Sequence, residues 1–177
     1  MKKCLFLDRD GVINIDKRYV HDLNSFEFID GIYDLITQFK NNNYLVIVVT
    51  NQAGIARGFY TEEDFKNLTK WMISELDNMI DKVYYCPNHP TEGLGEYKVS
   101  CGYRKPDSGM FLKAGEKFNI DFSKSIMVGD KLSDLDAAKK VGINDLYLFR
   151  NSEQQKRHYA FKEIDSFDSI IENHIKK

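Results

Sequence analysis

Asp8 and Asp10 stand two residues apart in the run Asp8-Arg9-Asp10-Gly11, directly after a short apolar segment. At the end of a strand, that spacing lets both carboxylates project toward one pocket. One carboxylate can attack phosphorus and form an aspartyl-phosphate. The other can protonate the leaving oxygen and then take a proton from the attacking water. Gly11 permits close approach of the backbone to a phosphate. Three further polar runs follow apolar segments or precede a helix: Thr50-Asn51-Gln52, Arg104-Lys105-Pro106 and Gly129-Asp130-Lys131. Asp130 and Asp8 together offer hard oxygen ligands of the kind Mg²⁺ takes. The ion and Lys105 would neutralise charge on a phosphoryl group in transfer, and Thr50 with the amides after it would hydrogen-bond its oxygens.

Each of these residues also has an ordinary reading. An Asp-x-Asp pair can be a polar turn, Thr50-Asn51 a turn or helix cap, and Lys105 or Lys131 a solvated lysine. Asp134 reads equally as support for the site and as the first-turn acid of a helix. The shared register of all four runs favours the catalytic reading.

Alternating elements must position these groups. Residues 3–7, 44–49, 83–85, 125–128 and 145–149 are short apolar runs that read as buried strands. Ile32, Leu35, Ile36 and Phe39 recur at helical spacing, and Asn41-Asn42-Asn43 ends that helix. Thr61 opens a long helix, with Asp64 in a capping-box position and a stripe of Phe65, Leu68, Met72, Leu76 and Met79. Residues 108–118 read as a helix with Phe111, Leu112, Gly115 and Phe118 on one side. Residues 132–141 form another, closed by Gly142, and 167–175 a last one after a polar tail beyond Arg150. This alternation predicts an α/β fold, a three-layer doubly wound and mostly parallel sheet, with its site beyond the carboxyl ends of the strands. Only about twenty residues separate Asp10 from the first helix, far below domain size. One domain over residues 1–177, without a large cap, is expected, its pocket shaped by segments 14–28 and 87–103.

Asp8-Arg9-Asp10-Gly11-Val12, Val49-Thr50-Asn51, Lys105-Pro106 and Gly129-Asp130 resemble the haloacid dehalogenase superfamily, over roughly residues 4–150. The resemblance implies a Rossmann-like fold and a Mg²⁺-dependent phosphatase with Asp8 as nucleophile and Asp10 as acid and base. It implies that Thr50 and Lys105 bind the phosphoryl group, and that Asp8, Asp130 and the backbone carbonyl of Asp10 hold the metal. The stretches from Asp8 to Asn14 and from Thr50 to Gly58 are similar to a narrower branch, as are Cys86-Pro87-Asn88-His89-Pro90 and Cys101-Gly102-Tyr103-Arg104-Lys105-Pro106. That branch removes the 7-phosphate of D-glycero-D-manno-heptose 1,7-bisphosphate on the way to nucleotide-activated heptose, and histidinol-phosphate phosphatases are its near relatives. By this resemblance Arg104 contacts substrate, Lys131 helps hold phosphate, and Asp16, Lys17, Arg18 and Tyr19 line the sugar end. Asn51, Gln52 and Ala53 join Thr50 around the phosphate.

The same branch usually carries a structural zinc bound by Cys-x-His and Cys-x-Cys. Here Asn88 and Tyr103 stand where the His and the last Cys are expected, leaving Cys86, Cys101 and, one position along, His89. Structural zinc prefers four ligands. The expectation is a loop that has lost the metal and packs on Tyr97 and Tyr103, with a residual site at Cys86, His89 and Cys101 as the alternative.

Bulk properties narrow the field further. The 177 residues are 42% hydrophobic and 29% charged, ordinary for a soluble globular chain. A net charge of −2 gives no broad attraction to nucleic acid or membrane, and no basic run supports a nucleic-acid 3′-phosphatase. No apolar run approaches a membrane span, and the segment before Asp8 is too short for a signal peptide. Cys4, Cys86 and Cys101 fit reduced thiols in a cytoplasmic protein. The reading is a monomeric enzyme acting on a small phosphorylated sugar. Histidinol phosphate or another small monoester is the alternative substrate. A catalytically silent interaction module is disfavoured, because the whole expected catalytic set is present.

Overall fold

Six strands are described in the computed structural model, which covers residues 1–150 and 157–176. They are β1 (Cys4–Leu7), β2 (Leu45–Asn51), β3 (Lys82–Cys86), β4 (Ile126–Gly129), β5 (Asp145–Phe149) and β6 (Lys162–Ile164). Their order in the sheet is β3-β2-β1-β4-β5-β6, and every neighbouring pair is parallel. Helices α1 (Ile32–Asn41), α2 (Ala53–Ala56), α3 (Glu62–Glu75), α4 (Gly109–Phe118), α5 (Leu132–Lys140) and α6 (Asp168–His174) lie between and after them.

Side chains alternate across a strand, and here both faces are apolar, as a parallel sheet covered on both sides requires. Leu5, Leu7, Val46, Val48, Val128 and Phe149 pack with α1, α3 and α6. Phe6, Ile47, Val49, Met127 and Leu148 pack with α4 and α5. The result is the expected three-layer α/β architecture, and among the described residues no large cap interrupts it. Segment 14–28 instead folds back on the core: Val20 and Phe26 are buried, and Trp71 packs edge-on against Phe26 at 5.3 Å between ring centres. No helix among the described residues is long and apolar enough to cross a membrane.

Several local expectations hold for the reasons that generated them. In α3, Thr61 Oγ1 accepts from the Asp64 amide at 3.1 Å, and Asp64 Oδ2 accepts from the Thr61 amide at 2.8 Å. That reciprocal pair satisfies two of the amide donors orphaned at a helix start. The helix stops before the end of its apolar stripe: Asp77 and Asn78 adopt positive φ of 48° and 56°, so Leu76 and Met79 follow the last turn.

Other expectations need correction. On α4 the buried residues are Met110, Phe111 and Ala114, while Leu112 is 50% exposed. The 3.6-residue period places 110, 111 and 114 on one stripe and turns 112 away. Two short elements went unread. α2 spans a single turn, and β6 is a sheet edge carrying Lys162 and Glu163, charges that suit an edge and hide the apolar signal. The polar tail read beyond Arg150 begins at 151–156, outside the described residues.

Phe39 lies fully buried between α1 and the sheet, its ring 4.8 Å from that of Tyr44. Phe39→Ala should cost about 3–5 kcal/mol, read as a lower urea midpoint at unchanged slope. A loss below about 1 kcal/mol would contradict the packing described for this layer.

Candidate active site

From β1 the chain runs outward to β2 and β3 on one side, then returns to β4, β5 and β6 on the other. The reversal falls between β1 and β4, where the carboxyl ends of parallel strands leave a crevice. There the polar runs meet, in a cleft of about 670 Å³ lined by Asp8, Asp10, Thr50, Lys105, Lys131 and Asp134 among others.

Lys105 is the centre of the charge arrangement. It is 2% exposed, and its Nζ lies 3.0 Å from Asp8 Oδ1, 2.7 Å from Asp134 Oδ1 and 2.8 Å from the Val49 carbonyl. Those contacts use all three ammonium protons. Asn51 sets the lysine backbone, since Asn51 Nδ2 donates to the Lys105 carbonyl and Asn51 Oδ1 accepts from its amide, both at 3.0 Å. Asp134 stands in the first turn of α5, where its second oxygen accepts from the Lys131 amide at 3.0 Å. It is therefore both a helix-start acid and a member of the site, so the two readings of Asp134 are one.

Carboxylate oxygens of Asp8, Asp130 and Asp134 lie within 4.8 Å of one another. Gly11 allows this crowding: at φ +86°, a side chain there would run into the Asp130 carboxylate. Burial pushes the Asp8 carboxyl up to about 6, against the pull of Lys105 and with the push of Asp134 and Asp10. Desolvation, then Asp8 and Asp134, push Asp130 up to about 8. Burial pulls the Lys105 ammonium down, but Asp134 and Asp8 outweigh it and hold the group above its ordinary value. Three carboxylates facing a buried lysine leave an excess of negative charge on hard oxygen donors, a set that fits a divalent cation such as Mg²⁺.

Asp10 sits beside this cluster in a separate network. Its Oδ1 accepts from Arg9 Nη2 at 2.8 Å, Arg9 Nε at 3.2 Å and Asn14 Nδ2 at 3.0 Å, and its Oδ2 accepts from Gln52 Nε2 at 3.0 Å. Arg9 is itself buried and donates to the Val20 carbonyl at 2.6 Å.

Asp16, Arg18, Tyr19, Thr50, Asn51, Gln52, Ala53, Arg104 and Lys131 all line the cleft. Lys131 Nζ bridges Asp130 at 3.2 Å and Asp16 at 3.3 Å. Lys17 is not brought there. It pairs with Glu27 at 2.8 Å at the surface, while the turn that follows carries Arg18 and Tyr19 at positive φ. Gln52 also differs from expectation: its backbone amide donates to the Cys86 carbonyl at 2.8 Å, so only its side chain serves the site.

Gly54, Arg57, Tyr60 and Ser133 also line the cleft and were missed as site residues. Arg57 sits at the end of the single-turn helix after the Thr50 run, its guanidinium 5.5 Å from the centre of the Tyr19 ring and paired with Glu92. The stretch from Gly54 to Gly58 carried the only sequence signal for it.

The loop that carries Cys86, His89 and Cys101 has its own arrangement. Cys86 and Cys101 bring their sulfurs to 3.3 Å, with Asn88 Oδ1 3.7 Å from Cys101 Sγ. His89 does not join them, because its Nδ1 accepts from the Glu92 amide at 3.0 Å. Among the described residues, Asp8, Asp130 and Asp134 form the one group of three side chains close enough to share an ion. Burial, then the neighbouring Cys101, push the Cys86 thiol up to about 12. Tyr97 does hold the loop, donating to Glu62 at 3.0 Å. Tyr103 does not, being 46% exposed.

Similarity to known proteins agrees with this geometry. A family model described as polynucleotide kinase 3 phosphatase matches residues 4–167. A D-glycero-beta-D-manno-heptose-1,7-bisphosphate 7-phosphatase of Haemophilus influenzae is 50% identical over 151 residues, covering 82% of each chain. One of Vibrio cholerae serotype O1 is 47% identical over 175 residues, 96% of this chain and 94% of that one. This chain belongs to the haloacid dehalogenase family of phosphatases. The superfamily member D,D-heptose 1,7-bisphosphate phosphatase from B. bronchiseptica, solved with magnesium and phosphate, aligns at a TM-score of 0.83 and 25% identity over 98% of each chain.

Carboxyl groups raised above their ordinary values stabilise the fold while protonated. For a metal-free protein that contribution is complete below about pH 4, and it is lost as pH rises through about 6 for Asp8 and about 8 for Asp130. A bound cation takes the place of the protons. Added Mg²⁺ should therefore raise the melting temperature several degrees more at about pH 8.5 than at about pH 5, and Asp130→Asn should remove most of the shift. Equal shifts at both pH values would contradict the charge balance described here.

Proposed function

We propose that this chain is a Mg²⁺-dependent phosphatase that removes the 7-phosphate of D-glycero-D-manno-heptose 1,7-bisphosphate through an aspartyl-phosphate, in the biosynthesis of nucleotide-activated heptose. The observation that carries the chemistry is the buried Lys105, which holds the Asp8 carboxylate at 3.0 Å beside Asp130 and Asp134. The substrate is supported by relatives of that name at 47–50% identity across most of this chain.

An Asp8 oxygen attacks the 7-phosphorus, and the bond from phosphorus to the sugar oxygen breaks as Asp10 gives that oxygen a proton. Water then attacks the phosphorus of the aspartyl-phosphate, Asp10 recovers a proton from it, and Asp8 and inorganic phosphate are released. Lys105 and Thr50 stabilise charge on the phosphoryl oxygens, and Lys131 adds a second cation beside Asp130. Asp8, Asp130 and the Asp10 carbonyl would hold Mg²⁺, which would supply further neutralisation of that charge. Asn51 acts by setting Lys105, and Asp16, Arg18 and Tyr19 bound the sugar end.

A bisphosphate brings a second dianion. Arg57 and Arg104 line the cleft and lie close enough that, after burial, Arg57 helps pull the Arg104 guanidinium down. Such a pair suits the 1-phosphate, because guanidinium groups bind phosphate through paired N–H donors. Residues 1–177 are read as one domain, working as a monomer in the cytoplasm on this small substrate, with no nucleic-acid or membrane partner. The six-stranded sheet of the described residues supports the single domain, and the net charge of −2 supports the absence of a nucleic-acid or membrane partner.

The test is phosphate release with Mg²⁺ from both anomers of the bisphosphate and from histidinol phosphate, with Asp8→Asn as control. Release from the bisphosphate, abolished in the control, is expected. Release from histidinol phosphate alone would overturn the substrate and keep the chemistry. No release from any ester by folded protein would favour an interaction module. Arg57→Ala should raise KM for the bisphosphate at least about ten-fold with little change in kcat, as expected for loss of a charge-assisted hydrogen bond made equally in ground and transition states.

A further inference from the structure

Gln52 is 2% exposed, and every polar atom of its side chain has a partner. Nε2 donates to Asp10 Oδ2 at 3.0 Å and to Thr50 Oγ1 at 2.8 Å, while Oε1 accepts from the Tyr60 hydroxyl at 2.5 Å. Arg9 and Asn14 place three donor contacts on Asp10 Oδ1. A carboxylate oxygen has two lone pairs, so Oδ1 has no room for a proton. Oδ2 takes one hydrogen bond and keeps a lone pair.

We propose that Tyr60 is a positioning residue for the acid step, locking the Gln52 amide so that Asp10 carries its transferable proton on Oδ2. The proposal rests on Asp10 being the general acid. An ionised Asp10 would orient the amide unaided, because it only accepts hydrogen bonds. A protonated Asp10 would not, since its carboxyl can also donate. A loose amide could then turn its oxygen to Oδ2 and hold the proton away from the leaving group. Tyr60 opposes that turn. Its hydroxyl is buried, and Gln52 Oε1 is the hydrogen-bond acceptor seen for it among the described residues, so a flipped amide would strand a buried O–H.

The ring is held as well as the hydroxyl. His21 stacks on it with ring centres 5.1 Å apart and planes 2° apart. Gly54 abuts it, and a Cβ there would overlap the ring. Burial pushes the phenol well above its ordinary range, so the hydroxyl keeps the proton it donates.

Proton donation matters for a sugar alkoxide leaving group and little for 4-nitrophenolate, which leaves as a stable anion. Because kcat/KM reports steps only through departure of the leaving group, wild type and Tyr60→Phe are compared on heptose 1,7-bisphosphate and on 4-nitrophenyl phosphate. The expected result is a fall of about ten-fold or more in kcat/KM for the sugar ester, carried by kcat, with at most about a two-fold fall for the aryl ester. An equal fall on both esters, or none on either, would overturn the lock and leave the phosphatase reading standing. Wild-type protein that cleaves neither ester would overturn the phosphatase reading and the lock with it. Should Tyr60→Phe melt below the assay temperature, both proteins are compared on the two esters at a lower temperature at which the variant is folded, and the same unequal loss is expected.

Discussion

Lys105 is a buried cation, and its three protons go to Asp8, Asp134 and the Val49 carbonyl. A buried ammonium alone would shed its proton, because desolvation disfavours the charged form. Two carboxylates in contact reverse that preference, and breaking such a buried pair by removing one partner typically costs about 3–5 kcal/mol. The same contacts fix where Asp8 points. They also leave Asp130 facing two carboxylates, with Lys131 and Lys105 among the groups that answer it, and a divalent cation balances the crowded carboxylates. Nucleophile placement, metal fit and the pH dependence of the metal-free fold thus share one origin.

The sheet makes this arrangement reachable. Because every strand pair is parallel, the carboxyl ends lie along one edge. β1 delivers Asp8, β2 delivers Thr50 and Asn51, and β4 delivers Asp130 to the same crevice. Lys105 comes from the long connection before α4, so it needs a separate fastening. Asn51 provides one, clamping the lysine backbone from both sides. The cleft is walled by the turn bearing Arg18 and Tyr19 and by α2 with the Arg57 that follows it.

Much of this was legible in the sequence because it follows from period and spacing. The apolar runs gave the strands, and the carboxylates, lysine and threonine just beyond them gave the reacting groups. What escaped depends on contacts between distant segments. Tyr60 and Arg57 are ordinary residues until α2 turns them toward the cleft. Gln52 looked like a backbone phosphate ligand, but strand pairing uses its amide on Cys86. Lys17, in a turn, found Glu27 instead of the cleft. Cys86 and Cys101 bring their sulfurs together, whereas His89 is drawn into its own turn.

The central claim is that Asp8 becomes covalently phosphorylated. It is tested most directly by mixing the protein with Mg²⁺ and substrate, quenching in acid within milliseconds, and mapping phosphoryl groups by peptide mass. The account predicts a phosphoryl group on the peptide containing Asp8, formed in the first turnover and decaying as substrate is exhausted. Turnover at full rate with that peptide unmodified at every quench time, or a phosphoryl group on another residue, would contradict it.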